Sequence, residues 1–112
     1  MSDCLFCKIV NGEIPSKKLY EDDQCLAFYD IDPQAPVHFL VIPKEHLASV
    51  SSVNEKNDAV VGHIFSVIAK LTNKLQLGSY RVVSNIGGQA GQSVFHLHFH
   101  VLAGRDMTWP PG

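Results

Sequence analysis

The sequence predicts an α+β fold, in which a mainly antiparallel sheet packs against one long helix. Three patterns support this class: short apolar runs bounded by turn residues, one long segment with apolar residues every three or four positions, and a C-terminal run in which histidines alternate with apolar residues. The chain has 112 residues, 46% of them hydrophobic, which is enough for one compact core. We therefore expect a single domain over residues 1–112.

The short elements follow from turn residues and β-propensity. A short helix is predicted over residues 4–10, ended by Asn11-Gly12. Strands are predicted over residues 18–21, 25–29, 38–42, 80–84 and 95–102. The first two strands form a hairpin, and Pro43 should stop the third because proline cannot donate to a sheet. The tail over residues 104–112 is expected to have no regular structure.

The long helix has the clearest sequence signals. Ser52-Val53-Asn54-Glu55 has the form of a capping box, which predicts that the helix starts there. The apolar residues that follow share one helical face: Val60, Ile64, Val67, Ile68, Leu71 and Leu75. Gly78 is expected to end the helix.

Charge and hydropathy exclude several classes of protein. The formal net charge is −2 and the basic residues form no cluster larger than Lys17-Lys18, which argues against a nucleic-acid polymer or an anionic membrane as partner. The sequence contains no apolar run long enough to span a membrane and begins without a signal-peptide pattern. We expect a cytoplasmic protein whose three cysteines are reduced.

Three histidines alternate with apolar residues near the C-terminus. In a strand, His96, His98 and His100 share one face, and Leu97, Phe99 and Val101 point into a core on the other. The outer two histidines would lie roughly 13 Å apart along a strand, too far to bind one zinc ion together. Three core imidazoles without a function would each need a hydrogen-bond partner. We therefore expect the three histidines to have different functions.

A glycine-rich loop over residues 85–93 leads directly into the histidine run. Glycines let backbone N–H groups approach an anion, and Gln92 and Ser93 add side-chain donors. No Gly-Lys-Ser/Thr sequence follows, so the loop is not a Walker A motif. Alone it would be read as a turn, but its position before three histidines indicates a phosphate-binding loop.

The pair Cys4-x-x-Cys7 leaves three interpretations open: a redox pair, half of a metal site, or no function. The strand–helix context of a thioredoxin motif is missing, which disfavours the redox pair. A metal site would need two further ligands. Cys25, alone in a strand, is interpreted as a small core residue.

The histidine run resembles the signature of the histidine triad (HIT) family of nucleotide hydrolases and transferases, His-φ-His-φ-His-φ-φ with φ apolar. Further matching blocks are Phe28-Tyr29-Asp30, residues 33–44, Gly91-Gln92-Ser93-Val94 and Trp109-Pro110-Pro111-Gly112. Together these blocks are similar to the HINT branch, the purine nucleoside phosphoramidases. The resemblance covers nearly the whole chain and implies a single HIT domain with a HIT-like fold.

The resemblance also implies roles for individual residues. His98 would attack the α-phosphorus to form a nucleotidyl-histidine, His100 would stabilise the phosphate charge, and Ser93 would help to protonate the leaving group. Asp30 would bind the ribose hydroxyls, although its local sequence fits a simple Asx turn equally well. The remaining nucleotide contacts would come from Asn85, Gly91 and Gln92 at the phosphate and from Phe28, Ile31 and Leu40 at the base.

Many members of this family pair an N-terminal C-x-x-C with two histidines. The resemblance therefore implies a structural zinc site of Cys4, Cys7, His46 and His96, which would remove His96 from catalysis. It further implies a homodimer in which the Trp109 tail approaches the partner's active site, and a purine nucleotide of the AMP or GMP type as ligand.

Two other functions compete with a hydrolase that forms a covalent histidine intermediate. One is a metal-dependent hydrolase that uses the histidine row as a zinc site, which the spacing of the row and the missing carboxylate base disfavour. The other is a zinc-stabilised nucleotide-binding or interaction module with weak or vestigial activity. A pure binding module has no need of the middle imidazole, His98.

Overall fold

A computed structural model describes residues 3–112. The fold is an antiparallel sheet with one helix packed on each face. The strands are β1 (Lys18–Glu21), β2 (Cys25–Tyr29), β3 (Val37–Pro43), β4 (Tyr80–Val83) and β5 (Phe99–Ala103). The α-helices are α1 (Leu5–Val10) and α2 (Asp58–Lys74), and single 3-10 turns cover Val50–Ser52 and Gly88–Ala90. The strand order is β1-β2-β3-β5-β4, with every neighbouring pair antiparallel. The predicted α+β class is confirmed.

The central strand β3 separates two apolar cores. Phe39 and Val41 point to the face covered by α2, whereas Leu40 and Ile42 point to the face covered by α1. Both faces are buried, which explains why this strand reads as a continuous apolar run rather than an alternating one. His38 is two residues before Leu40 and therefore belongs to the α1 face.

The turn between β1 and β2 attaches the hairpin to α2. Asp22 accepts hydrogen bonds from the backbone N–H groups of Gln24 and Cys25, at 2.8 and 2.9 Å. Its second carboxylate oxygen lies 2.8 Å from the Tyr20 hydroxyl and 2.7 Å from Nε2 of His63 on α2. Burial opposes the charge of Asp22, but these four hydrogen bonds together hold the pKa of its carboxyl well below the usual range.

The predicted start of α2 is wrong. The helix begins at Asp58, and Ser52 instead ends a 3-10 turn that Ser49 caps through its hydroxyl. The segment between them is a turn in which the Asn54 N–H donates to the Asn57 side chain at 2.8 Å. The Asn57 amide in turn donates to the Ser52 carbonyl at 3.1 Å. These local side-chain bonds compete with helix formation, so the capping-box pattern does not form a cap.

The predicted end of α2 also differs from the structure. The helix stops at Lys74, and Gln76 takes a left-handed backbone conformation with φ of 58°. The Gln76 N–H donates to the Asn73 carbonyl and the Leu77 N–H to the Thr72 carbonyl, which is the pattern of a Schellman motif. The position that usually requires glycine is therefore Gln76, and Gly78 lies beyond it.

The histidine strand is shorter than predicted. Regular pairing begins at Phe99, so His96 and His98 precede β5 rather than lying within it. The alternation of faces nevertheless continues into this segment. Leu97, Phe99 and Val101 belong to the α2 core, as predicted.

The C-terminal residues after β5 form no helix or strand, as predicted. Among residues 3–112, no helix is both long and apolar enough to cross a membrane.

Candidate active site and metal cluster

His98 is held in one orientation by its neighbours. Its Nδ1 lies 2.6 Å from the carbonyl oxygen of His96, which can only accept, so Nδ1 carries the proton and Nε2 has the free lone pair. The ring packs edge-on against Phe6 with centroids 5.1 Å apart. The Ser84 hydroxyl fixes the backbone by donating to the His98 carbonyl at 2.8 Å. A buried imidazole with an unprotonated Nε2 is a competent nucleophile.

His100 receives its orientation from a buried histidine of the central strand. The Gln34 N–H donates to Nδ1 of His38 at 3.0 Å, so the His38 proton is on Nε2. That Nε2 lies 2.9 Å from Nδ1 of His100, which therefore accepts. The remaining nitrogen of His100, Nε2, must carry its proton. Burial lowers the pKa of His100 to about 4, helped by His98 and His38, so this ring is a neutral N–H donor near pH 7.

Asp30 lies beside this histidine pair. One of its carboxylate oxygens is 3.4 Å from Nε2 of His38 and 3.9 Å from Nδ1 of His100. The three side chains are close enough for a shared metal ion. However, Nδ1 of His38 and Nδ1 of His100 already accept hydrogen bonds. Of these three side chains, the Asp30 carboxylate is therefore the one still free to bind a metal ion between them. The group is better suited to positioning than to binding a metal.

Most of the predicted site residues line one cavity of about 360 Å³. It is lined by His98, His100, Ser93, Asp30, Phe28, Leu40 and Ile31, together with apolar residues of α1 and the loop after it. Ile31 is 100% exposed, so it lies at the rim and forms no buried wall within one chain. A second cavity, of about 590 Å³, shares Ser93 with the first and is also lined by Cys4 and His46. Ser93 therefore stands at the boundary between two open spaces.

The glycine-rich loop differs from the predicted phosphate-binding arrangement. The N–H groups of Ala90, Gly91 and Gln92 donate to the carbonyls of Gly87 and Gly88, so they are not free for an anion in this conformation. The glycines are required for another reason: Gly87 and Gly91 have φ of 88° and 96°.

The Gln92 side chain also supports the loop. Its Oε1 accepts from the Gly87 N–H at 2.9 Å, and its Nε2 donates to the carbonyls of Ala48 and Val94 at 2.8 and 3.1 Å. Neither Gln92, Gly91 nor Asn85 lines the cavity, so their contacts with phosphate remain predictions.

The four predicted metal ligands come together in a compact cluster. Nδ1 of His96 lies 3.2 Å from Nδ1 of His46, 3.4 Å from Sγ of Cys4 and 3.6 Å from Sγ of Cys7. Nδ1 of His46 lies 3.3 Å from Sγ of Cys7. Tetrahedral zinc with normal bond lengths separates two nitrogens by about 3.3 Å and a nitrogen and a sulfur by about 3.6 Å. The donor set and its spacing therefore fit a four-coordinate metal ion.

The cluster also has the surroundings of a metal site. Nε2 of His96 lies 2.8 Å from the carbonyl oxygen of Pro43, which places the His96 proton on Nε2 and frees Nδ1 as a ligand. Cys4 caps α1 through its Sγ, which accepts from the Cys7 N–H at 3.3 Å. The side chain of His96 is thus turned to the cluster of cysteines and His46, while its carbonyl orients His98.

Sequence reasoning missed the role of His38, which it placed only at the start of a core strand. A detectable signal was present, because a histidine in an apolar strand needs a buried partner. The predicted histidine row offered one, but the pairing of His38 with His100 depends on the register between β3 and β5.

Comparisons with known proteins agree with this geometry. The family model described as "HIT domain" matches residues 11–107. An uncharacterized HIT-like protein of Synechocystis sp. is 47% identical over 111 residues, which are 98% of this chain and 97% of that protein. A HIT family hydrolase from Clostridium thermocellum is 45% identical with a TM-score of 0.93, covering 96% of each chain. A HIT family hydrolase from Legionella pneumophila is 47% identical with a TM-score of 0.95, covering 98% of this chain and 100% of the other.

The fold and the paired histidines define a small α+β protein with a cluster of histidines beside a largely apolar cavity. The chain belongs to the HIT family.

Proposed function

We propose that this protein hydrolyses nucleoside 5′-phosphoramidates or related nucleoside monophosphate derivatives at the α-phosphorus. The observation that carries the proposal is the pattern of hydrogen-bond partners around two adjacent rings, which assigns them opposite tautomers. His98 has its lone pair on Nε2, whereas His100, with its ring centroid 5.0 Å away, has its proton there. A nucleophile beside a fixed N–H donor suits attack on phosphorus with stabilisation of the phosphoryl oxygens.

The reaction proceeds in two balanced steps. Nε2 of His98 forms a bond to phosphorus, the bond from phosphorus to the leaving nitrogen or oxygen breaks, and the leaving group takes a proton from Ser93. A water molecule then bonds to the phosphorus of the nucleotidyl-histidine and gives one proton back to Ser93, while the bond from phosphorus to Nε2 breaks, which releases the nucleoside monophosphate and restores His98. His100 donates to a phosphoryl oxygen in both steps. The second cavity, which Ser93 also lines, leaves space for the departing group.

The nucleoside would occupy the cavity of about 360 Å³. Asp30 accepts hydrogen bonds from the ribose hydroxyls, Phe28 and Leu40 cover the base, and Ile31 closes the rim. Both Phe28 and Leu40 are buried, 4% exposed each, and belong to the apolar cluster under α1. A flat apolar surface of this kind suits a purine base, and we assign an AMP- or GMP-type nucleotide as ligand.

Zinc is the metal that best matches the second cluster. Two cysteines and two histidines at tetrahedral spacing form a closed structural site with no open position. Cys4, Cys7, His46 and His96 would hold the ion, which would link α1 to the loop after β3 and to the histidine segment. Loaded with zinc, the site would supply folding stability and no catalytic step.

A homodimer would cover the remaining apolar surface. Phe65 on α2 is 46% exposed, and Tyr80 on the edge strand β4 is 41% exposed. A two-fold contact through these two elements would bury both side chains. Trp109, 81% exposed in the tail, would reach the partner's site. Sedimentation should report twice the chain mass.

The cysteines of the proposed metal site must be reduced to bind an ion, which favours a cytoplasmic location.

The central test compares wild type with His98→Asn on adenosine and guanosine 5′-phosphoramidates. We expect His98→Asn to turn over these substrates on the order of a thousandfold more slowly or worse. The variant should still bind the product nucleotide. His63→Gln is the matched control, since His63 lies on α2 and does not line the cavity. Rapid acid-free quenching and mass spectrometry should detect the nucleotidyl adduct on wild type alone. Undiminished turnover in His98→Asn would exclude the covalent mechanism, and retained binding without turnover in wild type would identify a binding module.

A further inference from the structure

Ser16 has an unsatisfied hydroxyl beside the candidate nucleotide cavity. Within residues 3–112, its Oγ is the one buried side-chain nitrogen or oxygen that has no hydrogen-bond partner. Buried polar groups are normally paired, and an unpaired one costs free energy. Ser16 also lines the cavity that holds His98, His100 and Asp30. The hydroxyl can reorient about a single side-chain torsion.

The sheet register places Ser16 at the far end of the cavity from the phosphate-binding rings. His100 pairs with Leu40, Leu40 with Phe28, and Phe28 with Lys18, so these four residues form one row across the sheet. Three strand spacings make this row about 14 Å long. Ser16 comes two residues before Lys18, so it lies beside the end of this row, displaced along the direction of β1 and on the same face of the sheet. A nucleotide with its phosphate at His100 and its base over Phe28 would end near Ser16.

The segment that carries Ser16 is attached to the sheet. The Tyr29 N–H donates to the Lys17 carbonyl at 3.0 Å, which extends the pairing of β1 and β2 by one bond. The Lys17 ammonium lies 5.7 Å from the centre of the Tyr29 ring. The backbone next to Ser16 is therefore fixed, while the neighbouring cavity residues Ile14 and Phe28 offer no hydrogen bonds.

We propose that the Ser16 hydroxyl binds a polar edge of the nucleobase and so distinguishes the base from an apolar ring. This inference rests on the proposed function, because it requires a nucleotide in the cavity. A hydroxyl can donate to a ring nitrogen or carbonyl oxygen and accept from an exocyclic amine. It thus suits purine nucleotides, whose outer edges carry such groups, and leaves the ribose and phosphate contacts to Asp30 and His100.

The test measures dissociation constants for wild type, Ser16→Ala and the control Ser66→Ala, which removes an exposed hydroxyl from α2. The ligands are AMP, three AMP analogues that each lack one polar atom or group (the 6-amino group, N3 or N7), and ribose 5-phosphate, which has no base. Ser16→Ala should weaken AMP binding roughly fivefold. Ribose 5-phosphate should bind all three proteins equally. The analogue that lacks the bonded atom should bind wild type and Ser16→Ala equally.

A second measurement separates base recognition from a structural role. Because Ser16→Ala removes an unsatisfied buried hydroxyl, the melting temperature of the free protein should stay the same or rise while AMP affinity falls. Ser16→Thr, which retains the hydroxyl, should restore AMP affinity. A lower melting temperature for Ser16→Ala, equal losses for AMP and ribose 5-phosphate, or no loss for either would each overturn the proposal. If wild type binds no nucleotide, the proposed function fails first and this inference fails with it.

Discussion

Nε2 of His38 lies 2.9 Å from Nδ1 of His100. Because Nδ1 accepts this hydrogen bond, the other ring nitrogen of His100, Nε2, carries the proton. The donor is itself fixed by the Gln34 N–H at 3.0 Å. A backbone amide thus determines the protonation of a ring two hydrogen bonds away. His38 acts through His100 and is a positioning residue.

Replacement of His38 should reduce the rate of the chemical step more than substrate binding. In His38→Phe the His100 ring loses its partner and can take the wrong tautomer, so we expect kcat to fall roughly 10- to 100-fold with little change in KM. His38→Gln keeps an N–H donor and should recover part of the loss. Steady-state kinetics on a nucleoside phosphoramidate would measure both effects. Equal kcat values for wild type and His38→Phe would contradict the positioning role.

The paired histidines His38 and His100 should make folding stability depend on pH. Burial lowers the pKa of both His38 and His100, the latter to about 4, so the folded state favours their neutral forms. Such groups contribute stability above their unfolded pKa, near 6.5, and that stability is lost as the pH falls towards the folded value. Urea unfolding should therefore show stability decreasing from about pH 6.5 to pH 4. The decrease should be smaller in His100→Asn, and an identical decrease in both proteins would contradict this assignment.

Loss of the metal should lower stability before it lowers catalysis. Cys7→Ser removes one of four ligands and should reduce the bound zinc and lower the melting temperature by several degrees. Cys25→Ala is the control, because Cys25 lies in β2 outside the cluster. Metal analysis and thermal unfolding would measure both changes. A full equivalent of zinc retained by Cys7→Ser would exclude Cys7 as a ligand, and turnover should persist in any chelator-treated protein that stays folded.

Gln76 offers a test of the helix end. Its φ of 58° is a conformation that disfavours residues with a Cβ, so Gln76→Gly should stabilise the protein by about 0.5 kcal/mol, after the extra entropy of glycine in the unfolded chain is counted. This gain corresponds to a rise in melting temperature of roughly 2 °C. Gln76→Ala retains the Cβ and should give no gain. Calorimetry would detect the difference, and equal values for the two variants would contradict the strain argument.

The sequence predicted β1 and β2 with their observed limits because turn residues and apolar runs mark both ends of each strand. The spacing of Cys4 and Cys7 alone left their function open, whereas the four side chains that the family resemblance implied as ligands do lie together in the structure. The limits of α2 were wrong because Asn54 and Asn57 form local bonds that no helix pattern reveals. Gly78 was expected to end the helix, but the residue with the left-handed backbone conformation is Gln76, and only the backbone angles show this.

The role of His38 was missed because it depends on long-range pairing. No periodicity along one segment shows that His38 meets His100, 62 positions later in the chain. The inward-turned amides of the glycine loop were equally hidden, because their partners are carbonyls of the same loop rather than a residue type. Local patterns thus identified which side chains carry chemistry, whereas the tertiary structure decided which nitrogen of each ring is free.

The pairing of β3 with β5 has a consequence for how activity is lost. Residue pairs such as Leu40 and His100 lie in the middle of the sheet, between two cores. A shift of one residue between these strands would turn His100 into the α2 core and present Phe99 to the ligand. We therefore expect the hydrogen bond between His38 and His100 to be among those that open last. Inactivation by denaturant should coincide with global unfolding, and amide exchange in β3 and β5 should be the slowest in the chain.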